Sequence, residues 1–175
     1  HSGWKDEGDL KLPSGVDAIE VIYSSIDKIL EVYQKLLSLG GDHSTSYPVV
    51  KAVAKKYGAL NILHLDAHPD LYENFEGNKF SHACPFARTM EEGLAKRLVQ
   101  VGIRTMNTHQ REQANRFGVE VIEMKNWNPS TRFQFDGPSY LSLDMDVLDP
   151  AFAPGVSHYE PGGFTSRELI SILQN

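Results

Sequence analysis

The chain has 175 residues, 41% of them hydrophobic, and a formal net charge of −6, which suits one globular domain with a substantial core. It has no run of Lys or Arg and no apolar run near the roughly 20 residues that cross a bilayer, so we expect no nucleic-acid partner and no membrane span. A single cysteine, Cys84, excludes an intrachain disulfide and favours a reducing, intracellular compartment.

The first third of the chain predicts two helices. Residues 1–15 combine glycines, Pro13 and charges, which predicts an irregular N-terminal segment. Between Val16 and Leu37 apolar residues recur every three or four positions, which predicts an amphipathic helix that runs into a short strand near Leu36–Leu39. A second helix is predicted over Tyr47–Tyr57, because Val50, Val53 and Ala54 have helical spacing and Pro48 suits a first helical turn.

The rest of the chain alternates between strands and helices. The run Leu60–Leu65 is nearly all apolar and predicts a strand buried on both faces of a parallel sheet, and residues 71–84 predict a long functional loop. The further elements are predicted at Pro85–Leu94 (helix), Leu98–Ile103 (strand), Thr108–Phe117 (helix), Val119–Glu123 (strand), Tyr140–Leu143 (strand) and from Thr165–Ser166 onward (helix, with Glu168 in a capping box). This alternation predicts an α/β fold with helices on both faces of a parallel sheet.

Three polar clusters follow apolar runs. Their sequences are Gly40-Gly41-Asp42-His43-Ser44, Asp66-Ala67-His68-Pro69-Asp70 and Asp144-Met145-Asp146. Residues two apart in an extended segment point the same way, and the carboxyl ends of parallel strands meet at one edge of the sheet. We therefore expect six side chains to converge there: His43, Asp66, His68, Asp70, Asp144 and Asp146.

Four carboxylates and two imidazoles carry a charge of about −4, which two divalent cations would balance. Oxygen-rich ligation with imidazole and no sulfur favours manganese over zinc, while iron, cobalt and nickel stay open. Paired cations of this kind activate water for hydrolysis. His82, in the 71–84 loop, is the best-placed carrier of a proton to the leaving group, with an ordinary loop histidine as the alternative. We interpret Cys84 as a buried or inert thiol and His1, His64, His109 and His158 as structural or solvent-facing.

These clusters resemble the three signatures of the arginase and agmatinase ureohydrolases, the third continuing through Val147-Leu148-Asp149-Pro150 to Ala153-Pro154-Gly155. Plant-type arginases look closest, through Phe75-Glu76-Gly77-Asn78-Lys79, Ser81-His82-Ala83 and Phe86-Ala87-Arg88. The resemblance implies a single ureohydrolase domain over residues 1–175 with a three-layer α/β/α fold around a central parallel sheet, which we expect to be incomplete at both ends.

The resemblance also implies site roles. One Mn²⁺ would be held by His43, Asp66, Asp70 and Asp144, and the second by Asp66, His68, Asp144 and Asp146. Asp66 and Asp144 would bridge the two ions, and His82 would transfer protons. The implied reaction is hydrolysis of the guanidino group of L-arginine to ornithine and urea, by a homo-oligomer that is a trimer or hexamer.

Two departures bear on the substrate. Tyr72 stands where animal arginases have an asparagine that recognises the α-carboxylate, so Tyr72 is a candidate substrate contact and agmatine is the alternative substrate. The family's guanidinium-binding glutamate would lie beyond Asn175, so a catalytically impaired fragment is also possible. The residue pattern leaves room for two different functions, a single-zinc deacetylase and a non-enzymatic metal-binding assembly partner. We expect a cytoplasmic or, alternatively, a mitochondrial location.

Overall fold

The computed structural model describes residues 3–13 and 16–174, and within them it contains five α-helices and four β-strands. The helices are α1 (Val16–Val32), α2 (Ser46–Tyr57), α3 (Pro85–Glu91), α4 (Thr108–Phe117) and α5 (Ser166–Leu173), and the strands are β1 (Leu60–Leu65), β2 (Ala95–Ile103), β3 (Glu120–Glu123) and β4 (Ser139–Leu143). Short 3₁₀ turns cover His43–Thr45, Met124–Asn126 and Met145–Val147. Residues 3–13 have no helix or strand.

The four strands form one parallel sheet in the order β3-β2-β1-β4. Strand β1 is hydrogen-bonded on both sides, to β2 and to β4. This explains its nearly continuous apolar sequence, because a central strand of a covered parallel sheet has no solvent face. The predicted α/β fold with a central parallel sheet and flanking helices is confirmed.

Side chains that alternate along β1 build two cores. Leu60 and Ile62 pack with residues of α2, α3 and α4 on one face of the sheet, whereas Leu65 packs with Phe164 and with Leu169 of α5 on the other. Helix α1 lies outside α2, through a separate apolar cluster. Helix α5 begins with the predicted capping box of Thr165 and Glu168.

The predicted strand at Leu36–Leu39 is wrong, and α1 ends at Val32 rather than continuing to Leu37. Leu37 and Leu39 are 66% and 89% exposed. The apolar pattern gave the wrong answer because a strand needs a neighbouring strand to satisfy its backbone groups, and residues 36–39 pair with none in the described part of the chain.

Other boundaries shift by a few residues, as β2 begins at Ala95 and α3 ends at Glu91. Within residues 3–13 and 16–174, the structure has no helix that is long and apolar enough to span a membrane.

Candidate metal centre

The segment Asp66–Asp70 is anchored at the carboxyl end of β1. The Asp66 N–H donates to the Val101 carbonyl at 3.1 Å, and the Arg104 N–H donates to the Ala67 carbonyl at 2.8 Å, so the segment stays attached to β2. Asp70 has φ of 50°, a left-handed conformation that is uncommon outside glycine. Such backbone strain is typical of functional segments that the surrounding structure holds in place.

The carboxyl end of β4 is hydrogen-bonded to the carboxyl end of β1. The Asp144 N–H donates to the Leu65 carbonyl at 2.9 Å, and the 3₁₀ turn that follows points Asp146 back toward β1. The Asp146 carboxylate then accepts the Ala67 N–H at 3.1 Å, while Asp144 Oδ1 accepts the Asp146 N–H at 2.9 Å. These backbone contacts fix the carboxylates of the two segments relative to each other.

His43 enters from the 3₁₀ turn that precedes α2. Asp42 caps this turn by accepting the Ser44 N–H at 2.9 Å, and His43 Nε2 lies 3.2 Å from Ser142 Oγ on β4. The other ring nitrogen, Nδ1, therefore faces the carboxylates at the end of β1.

The side chains form two groups that share Asp66. In the first group, His43 Nδ1 lies 3.2 Å from Asp66 Oδ2 and 2.8 Å from Asp70 Oδ2. In the second group, His68 Nδ1 lies 3.4 Å from Asp66 Oδ1 and 2.9 Å from Asp146 Oδ2. The two oxygens of one carboxylate therefore face different groups.

Asp144 lies at the margin of the site. Its Oδ2 is 3.7 Å from His43 Nδ1, and its side chain is 32% exposed. The potential ligand atoms that lie within 4.8 Å of one another belong to His43, His64, Asp66 and Asp70 in one group and to Asp66, His68 and Asp146 in the other. Five of the six predicted ligands therefore fall in these groups, and Asp144 lies beside them.

Burial and mutual contact strongly perturb the site. Burial alone would raise the pKa of Asp66, but the neighbouring imidazoles of His64, His43 and His68 hold this pKa well below its usual range. Burial would lower the pKa of His68, yet Asp146 and Asp66 raise it to about 10. Burial, together with the charge of Asp66, raises the pKa of Asp70. Concentrated charge of this kind marks functional sites.

The donor set fits divalent cations. Imidazole nitrogens and carboxylate oxygens are ligands for Mn²⁺ and related ions. Each group provides at least one imidazole and at least two carboxylates. Asp66 is only 1% exposed, and a buried carboxylate among further carboxylates is costly unless positive charge compensates it. The residues are therefore able to hold metal ions.

Sequence reasoning missed the contact made by His64. This side chain is fully buried, and its Nε2 lies 2.7 Å from Asp66 Oδ2. Because His64 and Asp66 are two residues apart in an extended segment, their side chains point the same way, and the sequence alone shows this spacing. The position of His64 inside an apolar strand nevertheless indicated a structural residue. Its neighbour Gln100 gave no sequence signal.

Arg104 is a second contact that the sequence did not reveal. Its guanidinium donates to the carbonyls of Asp146 at 2.7 Å, Val147 at 3.1 Å and Glu160 at 2.9 Å. It therefore clamps the backbone of the Asp146 segment to the 150–163 loop.

Two other predicted residues, His82 and Tyr72, lie outside the two groups, on the 71–84 loop that forms the rim of the site. The side chain of His82 is 49% exposed, with Nδ1 4.0 Å from Asp42 Oδ2 and the ring edge against Phe75. Tyr72 accepts a hydrogen bond from Asn107 Nδ2 at 2.5 Å and stacks on His109. The ring of His158 lies 5.6 Å from that of His68, and Cys84 is buried as predicted.

Comparison with known proteins agrees with this geometry. The model of the Arginase family matches residues 1–175. The chain belongs to the arginase family. The mitochondrial arginase 1 of Arabidopsis thaliana is 51% identical over 92% of this chain and 51% of its own length. The agmatinase of Bacillus anthracis is 37% identical over 96% of this chain and 60% of its own.

Solved structures of the arginase family share the fold. The arginase from Medicago truncatula superposes with a TM-score of 0.86 at 49% identity, covering 90% of this chain and 52% of that one. The chain thus spans about half the length of the curated plant arginases that it matches.

Proposed function

We propose that this chain provides the metal centre of a binuclear manganese amidinohydrolase that hydrolyses the guanidino group of L-arginine to ornithine and urea. The observation that supports it most is the position of Asp66, whose two oxygens face separate groups of imidazole and carboxylate donors. A single cation would leave one of these groups without compensating charge.

We assign one Mn²⁺ to His43, Asp66, Asp70 and Asp144, and the other to Asp66, His68, Asp144 and Asp146. Both ions would share Asp66 and Asp144, and the nearness of Asp144 Oδ2 to His43 Nδ1, at 3.7 Å, supports its inclusion. When bound, a metal pair of this kind lowers the pKa of water and so provides a nucleophile at neutral pH.

His82 is our candidate for proton transfer. It lies on the 71–84 loop at the open side of the site, and its side chain is half exposed. Among the described residues, the imidazole has no hydrogen bond or ion pair with the carboxylates of the two groups. A histidine exchanges protons near neutral pH and can therefore carry one to the departing amine.

Arginine is the favoured substrate because the plant relatives near 50% identity are named arginases, whereas the agmatinase relative is more distant. Agmatine is the second candidate, supported by Tyr72 at the rim, which offers an aromatic ring and a hydroxyl rather than an amide. The names of the plant relatives also suggest a mitochondrial location. The trimer or hexamer stays a prediction.

The first test is metal stoichiometry. Chain stripped with EDTA, saturated with Mn²⁺ and freed of unbound metal should retain two Mn²⁺ per chain. Asp70→Asn should retain one, because Asp70 belongs to only one group. The control Asp136→Asn makes the same chemical change at an exposed position that contacts Asn61 near the start of β1, at the opposite end of the strand from the groups, and should retain two. Fewer than two retained Mn²⁺ per unaltered chain would overturn the binuclear metal centre.

The second test is urea release from L-arginine, agmatine and other guanidino compounds by the Mn²⁺-loaded protein. We expect release to be fastest with arginine and to fall to background in Asp66→Asn. Faster release from agmatine would replace the substrate assignment and leave the metal centre intact. Absence of release from every guanidino compound, despite two bound Mn²⁺, would refute hydrolysis by this chain and support the catalytically impaired fragment instead.

A further inference from the structure

His64 contacts the carboxylate of Asp66, which both groups share, but has no role in the proposed reaction. Its ring is fully buried beside Phe86, with ring centroids 3.9 Å apart. Its Nε2 lies 2.7 Å from Asp66 Oδ2, and its Nδ1 lies 3.1 Å from Gln100 Nε2. Gln100 is the residue that pairs with His64 across the parallel ladder of β1 and β2. Both nitrogens of the imidazole are therefore engaged.

The orientation of the Gln100 amide follows from Pro69. The carbonyl oxygen of Pro69 lies 2.5 Å from Gln100 Nε2 and can only accept a hydrogen bond. A flipped amide would place two acceptor oxygens against each other at this distance. The amide nitrogen therefore stays there, even though Gln100 Oε1 is left buried without a partner among the described residues.

This orientation determines which nitrogen of His64 carries the proton. The amide nitrogen of Gln100 donates, so His64 Nδ1 must offer its lone pair. In a neutral imidazole the proton then sits on Nε2, which faces Asp66 Oδ2. The resulting order of donors is Gln100 to His64 and His64 to Asp66.

We propose that Gln100 fixes His64 as the neutral Nε2–H tautomer, and that this N–H holds the Asp66 carboxylate with one oxygen toward each metal group. The inference rests on the proposed function in one respect, namely that Asp66 is a ligand of both cations. His64 is then a positioning residue and not a metal ligand, because a protonated Nε2 has no lone pair to donate.

The arrangement matters because Asp66 is common to both groups. Rotation of its carboxylate would move one oxygen out of each group at the same time. Hydrogen bonds to ligating carboxylates commonly set metal affinity, and removing such a partner costs about 10- to 100-fold. The His64–Gln100 pair would therefore affect both cations together.

The direct test is a long-range ¹H–¹⁵N NMR correlation of the metal-free chain in EDTA, with His64 assigned by its loss in His64→Gln. We expect a pyrrole-type Nε2, which carries the hydrogen, and a pyridine-type Nδ1. A hydrogen on Nδ1, or on both nitrogens, would overturn the inference. A metal-ligating His64 would have to lose the hydrogen from Nε2 when the cation binds, so an Nε2–H in the metal-free chain counts against that alternative.

Substitution of Gln100 adds a second test. Gln100→Leu removes the donor to Nδ1, and Gln100→Glu replaces it with an acceptor that favours Nδ1–H. Both variants should weaken Mn²⁺ binding by about 10- to 100-fold, and Gln100→Glu should also move the hydrogen to Nδ1 in the spectrum. The control is Gln113→Leu, which alters a glutamine of α4 that is also buried, and this variant should bind Mn²⁺ within about twofold of the unaltered chain.

The outcomes separate this inference from the proposed function. Two bound Mn²⁺ and urea release, with the hydrogen on Nδ1, would overturn the role of His64 alone. A chain with the Nε2–H tautomer that retains no Mn²⁺ would overturn the metal centre and leave the tautomer assignment standing. Unchanged Mn²⁺ affinity in Gln100→Leu would refute the positioning role, and the spectrum of the unaltered chain decides the tautomer even where a Gln100 variant does not fold.

Discussion

Gly163 allows the 149–163 loop to return against the segment that carries Asp146. The Asp149 N–H donates to the Phe164 carbonyl at 2.9 Å, and the Phe164 N–H donates to the Val147 carbonyl at 3.0 Å. A Cβ atom on Gly163 would lie 2.6 Å from Asp149 N, from the carbonyl carbon of Leu148 and from Val147 O. All three are backbone atoms, so Gly163→Ala must push the two segments apart.

The expected cost follows from these contacts. Overpacking costs about 1–3 kcal/mol, and each weakened backbone hydrogen bond adds about 0.5–1.5 kcal/mol. We therefore expect Gly163→Ala to lower the free energy of unfolding by about 3 kcal/mol. For a chain of this length that corresponds to a decrease in Tm of about 6–12 °C.

Thermal unfolding followed by circular dichroism measures this change, with Gly155→Ala as the matched control. Gly155 lies in the same loop, but a Cβ there would meet nothing within 4 Å. The control should stay within about 0.5 kcal/mol of the unaltered chain. Equal Tm values for the two variants would refute the conclusion that close backbone approach requires glycine at position 163.

Three further predictions concern other residues. Arg104→Met removes the donor to the carbonyls of Asp146 and Glu160 and should cost about 2–4 kcal/mol in urea unfolding; an unchanged midpoint would contradict the clamp. Asp146 and Asp66 raise the pKa of His68 from 6.5 to about 10, although burial alone would lower it. In EDTA, protonated His68 therefore stabilises the folded chain fully below pH 6.5, and this stabilisation is lost as the pH rises toward 10. Mn²⁺ binding near neutral pH should accordingly release protons, measurable by calorimetry in buffers of different ionisation enthalpy, and zero release would count against this. Burial raises the pKa of the Cys84 thiol, so Ellman's reagent should react with it only after unfolding; rapid reaction of the folded chain would show that the thiol is accessible.

The fold was predictable where burial leaves a pattern in the sequence. The run Leu60–Leu65 is apolar because β1 has strands on both sides and helices across both faces, and the structure confirms it without a shift of either end. Residues 36–39 have similar composition but no strand partner in the described chain. Apolar composition predicts burial, whereas strand formation depends on a partner that a local pattern does not reveal.

The candidate site was predictable to the extent that ligand chemistry is visible in residue types. Carboxylates and imidazoles at alternate positions after β1 and β4 pointed to a common edge, and the structure brings them to hydrogen-bonding distances. The supporting contacts were not predictable. His64 and Gln100 meet only through the register of β1 against β2, and the role of Arg104 depends on where a distant loop returns.

The backbone support of the site differs between its floor, formed by the ends of β1 and β4, and its rim, formed by the 71–84 loop. Asp66 and Asp144 extend the hydrogen-bond ladders of β1, because their N–H groups donate to the carbonyls of Val101 and Leu65. The central strands of the sheet therefore fix the positions of both carboxylates. His82 and Tyr72 sit on the 71–84 loop, where side chains rather than a strand ladder hold them. Ligands that must balance charge at fixed separations benefit from the rigid floor, whereas groups that admit and release a substrate benefit from the loop. Under the proposed function, metal binding and substrate choice would therefore depend on different parts of the chain, and we expect a change at Tyr72 to alter the substrate while the two groups keep their geometry.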